Sequence, residues 1–378
     1  MKKICVITTT HSASGPRIFN KEVRTLLDAG YRITLIAQHD KTETIDGIKI
    51  IPLLPTGSKI QRFYFLAKKA YSLALVEQAD LYHFHDPELL PWMASLKKKT
   101  GAKVIYDAHE DVPEDLKFRS WLPWLVRPVV SKVYDWYEKS VSKKFDYVIT
   151  VNPTIENKFR KKGVSNIGIV SNYPILEKIK GAEGVVHPEM FAKKDKPRLI
   201  YVGSLSVEYG MREMIAAMGH LAGKVEFVMV GNFEDEKLEA EVKAKNIKGL
   251  VFTGKVPYLQ VFSYLKSADV AIMCFSMLPN NYFNTGIGSN KLFEYMAVGL
   301  PVIASGFPNL KKIVEGNGCG ICVDSSKAEE ISEAVIYLLS NKDVANKMGE
   351  NGKKVVYERY NWENEGKKLL AIYKTILH

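Results

Sequence analysis

Residues 284–305, NTGIGSNKLFEYMAVGLPVIAS, combine the side chains and the spacing of a phosphate-binding helix start. A loop of small residues leads into a helix that should begin near Ser289, with Asn290 and Lys291 in its first turn. A lysine in this position is unfavourable unless an anion balances the helix dipole. Backbone N–H groups and Lys291 would therefore hold a diphosphate, and Glu294, one turn further on, could accept hydrogen bonds from a ribose diol. A surface helix that happens to carry a lysine is the alternative.

A second group of polar side chains follows two strand-like runs in the first half of the chain. His83, His85 and Asp86 end the run in YHFHDPELLP, and His109 and Glu110 end the run in VIYDAHEDVPED. Ligand sites of parallel sheets lie beyond the carboxyl ends of strands, so we expect His109 to face a cleft. Zinc held by His83 and His85 is an alternative, but no cysteine or third histidine has matching spacing. A structural, hydrogen-bonded histidine is another.

The first strand-to-helix turn, THSASGPRIF, is a plausible anion site. Ser14 could cap the helix, Gly15 is permissive, and Pro16 suits the first helical position. Arg17 opposes the helix dipole, which indicates an anion or an inter-domain contact as its partner. A tight turn without a ligand is the alternative. The turn matches neither the dinucleotide-binding GxGxxG pattern nor a Walker loop, which argues against nicotinamide redox chemistry and ATP hydrolysis.

The elements that must position these residues alternate along the whole chain. Apolar strand-like runs are followed by amphipathic stretches of helical length, which is typical of parallel sheets with helices on both faces. The predicted fold class is α/β, with two Rossmann-like doubly wound domains that face each other across a cleft. The predicted units are an N-terminal domain at 1–180, a C-terminal domain at 197–360, and a C-terminal helix at 361–378 that could pack back on the N-terminal domain.

Composition excludes several classes of protein. Of 378 residues, 46% are hydrophobic and 25% are charged, which is ordinary for a globular protein and unlike a disordered, collagen-like or coiled-coil chain. The N-terminal MKKICVITTT has the pattern of a first strand and not of a signal peptide, and no apolar run is long enough to span a bilayer. Four cysteines do not make a disulfide framework, so we expect a cytoplasmic protein. Cys319 and Cys322, in CGIC, run into a strand, which disfavours redox chemistry.

Positive charge is concentrated in the first half. Residues 1–180 hold 29 Lys and Arg against 19 Asp and Glu, a balance of +10, whereas residues 181–378 hold 24 against 23, a balance of +1. An anionic partner of the first half is therefore expected: a phosphorylated substrate or an anionic membrane surface. A lysine-rich solvated surface is the alternative. Nucleic acid is disfavoured, since the sequence has no aromatic–basic nucleic-acid motif.

The motifs together resemble the family 4 glycosyltransferases, which have the GT-B fold. The block SNKLFEYMAVGLPVIAS is similar to their donor-site helix and following strand, and HSASGPRIFNKEVRTLLDAGYRITLIA resembles their first strand–helix unit. The segments VIYDAHEDVPE, DYVITVNPTI, IVSNYP and LIYVGSL occur in the expected order, so the resemblance covers nearly the whole chain. It implies a retaining glycosyltransferase that uses a nucleotide-sugar, by family frequency a UDP-sugar, and needs no metal or other cofactor.

The resemblance also assigns roles to individual residues. His109, Lys291 and Glu294 form the implied catalytic set, in which His109 contacts the donor sugar and Glu294 binds the ribose. The implied donor site is completed by the turn after the first strand of the second domain and the start of the later helix: Gly203, Ser204, Arg212, Ser289 and Asn290. The acceptor side comprises residues of the first domain: Gly15, Arg17, His85, Asp86 and Glu110.

Several positions depart from the family pattern. Many members have an arginine where this chain has Ser204 and a lysine where it has Tyr209, so Arg212 and Lys291 are predicted to take over part of that charge. Gly286 stands where the first of two glutamates is common, which leaves donor identity open. Gly15 replaces a common aspartate. These departures keep two other functions open: a catalytically silent GT-B subunit that binds a partner, and a nucleotide-sugar epimerase.

Two stretches of the basic half suggest a membrane surface. Residues 117–144 interleave lysine and arginine with Trp121, Trp124 and Trp136, and residues 58–75 combine basic residues with several aromatic ones (Phe63, Tyr64, Phe65 and Tyr71). Such segments suit the headgroup region of an anionic bilayer, so we expect peripheral attachment at the inner face of the membrane. The acceptor would then be a cell-surface glycan or a lipid-linked molecule. Packing of these aromatics into the core is the alternative.

Overall fold

The computed structural model describes residues 1–55, 61–119, 122–181, 195–221, 223–278, 281 and 289–377. Within them the chain divides into two compact units, Met1–Asn172 with Asn364–His378 and Tyr173–Glu363. The first unit ends before the predicted position 180 because Tyr173 and Ile179 pack in the core of the second unit. From Asn364 onward the C-terminal helix is counted with the first unit.

An eight-stranded sheet forms the centre of the first unit, in the order β3-β4-β2-β1-β5-β6-β7-β8. Every neighbouring pair is parallel except β3 with β4. The strands are β1 (Lys3–Ser12), β2 (Arg32–Gln38), β3 (Glu43–Ile45), β4 (Ile48–Leu53), β5 (Leu81–Phe84), β6 (Lys103–Ala108), β7 (Tyr147–Thr150) and β8 (Ile167–Ile169).

A six-stranded, fully parallel sheet forms the centre of the second unit, in the order β11-β10-β9-β12-β13-β14. Its strands are β9 (Arg198–Val202), β10 (Glu226–Val230), β11 (Leu250–Gly254), β12 (Val270–Met273), β13 (Val302–Ser305) and β14 (Gly320–Val323). The predicted α/β class with two parallel-sheet domains is thus confirmed.

Helices connect most strands. Those of the first unit are α1 (Arg24–Asp28), α2 (Ala67–Glu77), α3 (Leu90–Thr100), α4 (Val112–Leu116), α5 (Arg127–Ser142) and α6 (Pro153–Lys161). Short π-helical stretches (Ile18–Val23 and Gln61–Leu66) and a 3₁₀ turn (Pro87–Leu89) precede α1, α2 and α3. Those of the second unit are α7 (Leu176–Gly181), α8 (Met211–Leu221), α9 (Glu236–Ala244), α10 (Tyr258–Ser267), α11 (Asn290–Ala297), α12 (Pro308–Val314), α13 (Ala328–Ser340) and α14 (Lys342–Glu358), and the C-terminal helix is α15 (Trp362–Leu377).

Each sheet is buried on both faces, which explains the nearly continuous apolar runs in its strands. In the first unit, Cys5 and Ile7 of β1 pack with Phe84 of β5 and with Leu90 and Met93 of α3. The second unit has one apolar cluster around α11 and another around α8 and α13. Because parallel strands all end at the same edge of a sheet, the loops after them gather the polar residues of each unit.

Candidate functional site

The turn after β9 brings the chain close to a lysine. Gly203 has φ +134°, a conformation that favours glycine, and a Cβ there would lie 2.7 Å from Lys291 Nζ. Gly231, after the neighbouring β10, has φ +153°, and its own Cβ would lie 1.9 Å from the Gly203 carbonyl oxygen. The two glycines therefore allow the ends of β9 and β10 and the lysine to lie close together. Glycine is also the residue that lets a backbone approach a ligand closely.

Lys291 lies in the first turn of α11, as the sequence predicts. Ser289 precedes the helix in an extended conformation. Its hydroxyl lies 3.6 Å from Met273 Sδ and makes no capping hydrogen bond to the helix start. Lys291 Nζ donates a hydrogen bond to the Tyr201 hydroxyl at 2.8 Å. That hydroxyl donates in turn to the Ser204 carbonyl oxygen at 2.9 Å.

Three aromatic rings surround the ammonium group. Lys291 Nζ lies 4.4 Å from the ring centre of Tyr201, 4.6 Å from that of Tyr209 and 5.7 Å from that of Phe275. Cations are attracted to aromatic faces at such distances. Burial lowers the pKa of Lys291 to about 7, although Glu294 and Glu234 act in the opposite direction. The charged form of the lysine is therefore poorly hydrated, and a ligand anion would stabilise it.

Glu294 is a buried carboxylate on the same helix. Tyr258, the first residue of α10, donates its hydroxyl proton to Glu294 Oε1 at 2.9 Å. Burial, followed by the charge of Glu294, raises the pKa of Tyr258, so this hydroxyl stays a donor at neutral pH. A carboxylate held in one orientation can accept further hydrogen bonds in a defined direction.

A cavity of about 410 Å³ lies beside Gly203. A cavity of this volume suits a small ligand. It is lined by the ends of β9 and β10 and by residues that follow β9, β10 and β11, among them Ser204, Asn232, Glu234 and Lys255. Composition and motif analysis missed Asn232, Lys255 and Tyr258. The available signal was their place in the chain, since Asn232 and Lys255 closely follow strands β10 and β11 and Tyr258 begins α10.

Arg212 is placed differently from the other predicted donor-site residues. It lies on the exposed side of α8, where its guanidinium donates to both carboxylate oxygens of Glu241 on α9 at 2.7–3.2 Å. Neither Arg212 nor Lys291 lines the described cavity beside Gly203, but Lys291 lies against Gly203, whereas Arg212 pairs with Glu241. Its predicted role as a substitute cation gains no support from this geometry. Gly286 lies outside the described residues.

In the first unit, Arg17 is buried between two carboxylates. Its Nη2 lies 3.0 Å from Asp107 Oδ2, its Nε lies 2.8 Å from Glu22 Oε1, and Nη2 also donates to the Val170 carbonyl oxygen. Gly15 forms the tight turn before it, with its N–H donating to the Ser12 carbonyl oxygen. The anion expected for Arg17 is thus present inside its own unit.

The carboxylates of this cluster differ in proton affinity. Burial alone would raise the pKa of Asp107, but Arg17 and then His109 outweigh it and hold that pKa well below its ordinary value. Burial raises the pKa of Glu22 well above its ordinary value, although Arg17 opposes the shift. Asp107 is therefore ionised near neutral pH, whereas Glu22 holds its proton more strongly than an ordinary carboxyl group.

Three histidines line up against Asp107. His83 Nδ1 is hydrogen-bonded to the Tyr373 hydroxyl at 2.7 Å, and His85 Nδ1 to His109 Nε2 at 3.2 Å. Burial lowers the pKa of His83 and lowers that of His85 well below its ordinary value, so both are neutral near pH 7. His109 keeps 19% of its side chain exposed and lies 3.4 Å from Asp107 Oδ1. His109 is therefore the accessible end of a buried polar chain.

Four side chains of this cluster could in principle hold a metal ion. One ligand atom each from Glu22, His85, Asp107 and His109 lies within 4.8 Å of the others. Arg17 already contacts both carboxylates, and a divalent cation among them would face the guanidinium charge. The arrangement therefore suits a charge-balanced hydrogen-bonding cluster better than a metal centre.

A cavity of about 390 Å³ opens beside His109 in the same unit. Asp86 lines it, and three threonines fix its carboxylate. Oδ2 accepts from the Thr8 hydroxyl at 2.7 Å and from the Thr9 N–H at 2.6 Å, and Oδ1 accepts from the Thr10 hydroxyl. The exposed Glu110 lies at the rim, 3.6 Å from Arg119 Nη2. Hydroxyl-rich ligands are bound by such fixed acceptors and donors.

Two family models match the chain and together cover most of it. The model described as glycosyl transferases group 1 matches residues 186–355, and that described as glycosyltransferase family 4 matches residues 19–173.

Relatives at low identity include characterised and uncharacterised glycosyltransferases. The uncharacterized glycosyltransferase MJ1069 of Methanocaldococcus jannaschii is 26% identical over 66% of this chain and 64% of its own length. A phosphatidyl-myo-inositol mannosyltransferase of Mycolicibacterium smegmatis is 22% identical over 93% of this chain and 87% of its own. This chain spans less than two thirds of the length of three of these relatives. The aligned share is 64% of MJ1069, 66% of an alpha-D-kanosaminyltransferase and 45% of the uncharacterized glycosyltransferase MJ1607.

Solved structures share the fold over the full length. Sucrose-phosphate synthase of Thermosynechococcus elongatus has a TM-score of 0.78 at 19% identity and covers 99% of both chains. WaaG, a glycosyltransferase involved in lipopolysaccharide biosynthesis, has a TM-score of 0.74 at 15% identity over 98% of this chain and 99% of its own. HepE of Anabaena in complex with UDP and glucose has a TM-score of 0.72 at 12% identity and covers 99% of this chain and 100% of its own.

Proposed function

Since this chain belongs to the family 4 glycosyltransferases, we propose that it transfers a sugar from a nucleotide-sugar, with UDP as the favoured nucleotide, to a glycan or lipid-linked acceptor with retention of configuration. The observation that carries the proposal is Lys291, which lies against the Gly203 turn beside a cavity of about 410 Å³. HepE and trehalose-6-phosphate synthase, whose structures contain UDP or a UDP-sugar, share the fold and support the choice of nucleotide.

Lys291 and the neighbouring helix start would stabilise the leaving group. As the bond between sugar and phosphate breaks, negative charge develops on the nucleoside diphosphate. A cation and backbone N–H groups already directed at the diphosphate would stabilise that charge without reorganisation. We therefore assign Lys291, Ser289 and Asn290 to the diphosphate, Glu294 to the ribose, and Gly203 and Ser204 to the turn that contacts the phosphates.

The first unit would supply the acceptor side. We assign His109 to the transferred sugar and the cavity bordered by His85, Asp86 and Glu110 to the acceptor. Arg17 acts in this scheme through Asp107, whose carboxylate it keeps ionised. Because Lys291 can supply the charge that neutralises the diphosphate, we propose that transfer needs no metal and no further cofactor.

The direct test is binding of nucleotides by calorimetry, with a panel of UDP, GDP, ADP and CMP. Replacing Lys291 by alanine should weaken binding of the preferred diphosphate by roughly 1.5–3 kcal/mol, the range for hydrogen bonds to charged groups. Lys243→Ala is a matched control, because Lys243 is exposed and pairs with Glu239 on α9. Equal affinity of wild type and Lys291→Ala would contradict the assignment.

Turnover then separates this function from the two alternatives. Sugar transfer to an acceptor supports the glycosyltransferase. Conversion of the donor without any acceptor would favour a nucleotide-sugar epimerase, and donor binding without turnover against any acceptor would favour a catalytically silent subunit.

We further propose that the first unit attaches to an anionic membrane surface on the cytoplasmic side. One face of α5 exposes Val129, Val133 and Trp136, and Trp124 and Leu125 are exposed just before the helix. Lys132, Lys139 and Lys143 lie exposed at the spacing of the same face. Apolar side chains flanked by lysines suit the headgroup region of a bilayer.

The second predicted membrane stretch is only partly exposed. Phe63, Tyr64 and Phe65 are exposed, whereas Tyr71 is buried in the core of the first unit. Trp121 and residues 58–60 lie outside the described residues. None of the helices in the described ranges has both the length and the apolar character needed to cross a membrane. A peripheral enzyme of this kind would use a lipid-linked or membrane-borne acceptor.

A further inference from the structure

The environment of Lys291 has a consequence for how a donor binds. The Tyr209 ring lies 4.6 Å from Lys291 Nζ, and the rings of Tyr201 and Phe275 complete a box of three rings around the amine. Lys291 is thus an amine held at this turn by aromatic rings, whereas Lys255 lines the adjoining cavity.

The hydrogen bonds within the box fix the position of the amine. Tyr201 uses its hydroxyl proton on the Ser204 carbonyl oxygen, so its oxygen is left to accept from Lys291. Gly203 allows the amine to lie against the backbone, because a Cβ there would lie 2.7 Å from Nζ and would displace the amine. Lys291 nevertheless remains partly exposed, so a ligand can reach it.

The charged and titratable groups around the box do not compensate the amine fully. Among the described residues none forms an ion pair with Lys291, and Glu294 and Glu234 act on its pKa at longer range. Burial raises the pKa values of Tyr201, Tyr209 and Tyr295, so these hydroxyls stay neutral. With its pKa lowered to about 7, Lys291 is only partly protonated at neutral pH in the empty site.

We propose that Tyr201 and Tyr209 are positioning residues that hold the Lys291 amine at the Gly203 turn, and that a nucleotide-sugar diphosphate binds there together with one proton taken up from solvent. The amine gains the proton and becomes an ammonium ion, and no covalent bond in the donor changes. The inference rests on the proposed donor site but goes beyond it, because a permanently charged lysine would bind the same donor without proton uptake.

Proton linkage makes a quantitative expectation possible. If Lys291 titrates near 7 in the empty site and stays protonated in the complex, binding at pH 8 takes up about 0.9 proton and binding at pH 6 about 0.1. The Kd should then rise roughly 50-fold between pH 7 and pH 9, because the protonated fraction of the empty site falls from about one half to about one hundredth.

The experiment is calorimetric titration of the full chain with UDP-glucose at pH 6 and pH 8 in buffers of different ionisation enthalpy. UDP-glucose is the probe because its phosphates do not titrate in this range, unlike the terminal phosphate of UDP. The slope of the observed enthalpy against the buffer ionisation enthalpy gives the number of protons taken up. A value near 0.9 at pH 8 supports the inference, and a value near zero with a flat Kd from pH 7 to pH 9 overturns it.

Two sets of variants assign the proton to the box. Lys291→Arg carries a permanent charge and should bind without proton uptake; uptake that persists in this variant overturns the assignment. Tyr209→Ser removes the ring and leaves polar space for water beside Nζ, so the pKa of Lys291 should rise toward its ordinary value and uptake at pH 8 should fall below half the wild-type value. Tyr209→Phe keeps the ring and should keep the uptake. Equal uptake in Tyr209→Ser and Tyr209→Phe contradicts the positioning role. Failure of UDP and UDP-glucose to bind at any pH would instead overturn the donor site itself.

Discussion

Tyr258 donates a hydrogen bond to Glu294 across the ends of two helices, with 2.9 Å between the hydroxyl and Oε1. This contact fixes the carboxylate that the sequence assigns to a ribose. If the assignment holds, wild type should bind UDP more tightly than 2′-deoxy-UDP by roughly 1.5–3 kcal/mol, since a charged acceptor would lose its donor. Glu294→Ala should bind the two nucleotides equally. Calorimetry measures both affinities, and discrimination that survives in Glu294→Ala would place the ribose elsewhere.

The contact between Tyr258 and Glu294 could not be predicted from the sequence, unlike the site residues of α11 in the same unit. Lys291 and Glu294 were found because a lysine at a helix start is unusual and because the surrounding motif is specific. Tyr201, Tyr209 and Tyr258 were not assigned contacts to them, since an aromatic residue near a strand end is more often part of the core. Their hydroxyls and ring faces reach α11 from three separate segments, which spacing along the chain does not reveal.

The first unit shows the same limit for charged residues. Arg17 was expected to face an anion, and that anion is Asp107 on β6, far along the sequence. The strands could be predicted because both sheet faces are buried and their apolar runs are long. β3 was missed because it has three residues and pairs at the sheet edge; the turn residues Asp46 and Gly47, both with positive φ, were the signal for that hairpin.

Arg212→Ala should leave the donor KM and kcat close to wild type. The sequence suggested that Arg212 replaces a missing cation, but its guanidinium is engaged by Glu241 on the exposed side of α8 and α9. An exposed ion pair contributes little and is screened by salt. Steady-state kinetics with varied donor concentration measure both constants. A several-fold rise in KM for the donor would contradict this prediction and support a role of Arg212 in donor binding.

His109→Ala should lower kcat more than it weakens nucleotide binding. The proposed contact of His109 is with the transferred sugar, so its loss would be felt where the bond to phosphate breaks. Kinetics give kcat, and calorimetry with UDP gives the affinity. His220→Ala is the control, because His220 is a half-exposed histidine on α8 of the other unit. Unchanged turnover in His109→Ala would leave His109 a structural part of the histidine chain.

Asp107→Asn should destabilise the first unit by about 3–5 kcal/mol, because it leaves the buried Arg17 without its ionised partner. The pKa of Asp107 is lowered in the folded state, so its stabilising contribution is present above the ordinary carboxyl pKa and is lost as the pH falls below it. The difference in unfolding free energy between wild type and Asp107→Asn should therefore shrink below about pH 4. Denaturant titration at pH 7 and at acid pH measures it, with the exposed Asp40→Asn as control. A constant difference across this range would contradict the ionised state of Asp107.

Replacing Trp124 and Trp136 together by serine should abolish most binding to anionic vesicles. Both side chains are about 70% exposed (73% and 69%), so their loss costs the folded protein little. In the bilayer each would bury a large apolar surface beside lysines that are worth about 1 kcal/mol each near an anionic surface. Co-sedimentation with phosphatidylglycerol-containing and purely zwitterionic vesicles, at low and high salt, measures the effect. Tyr337→Ser, an exposed aromatic of the second unit, is the control. Wild-type binding that ignores lipid charge and salt, or binding that the double variant retains, would contradict attachment through α5 and favour a soluble acceptor.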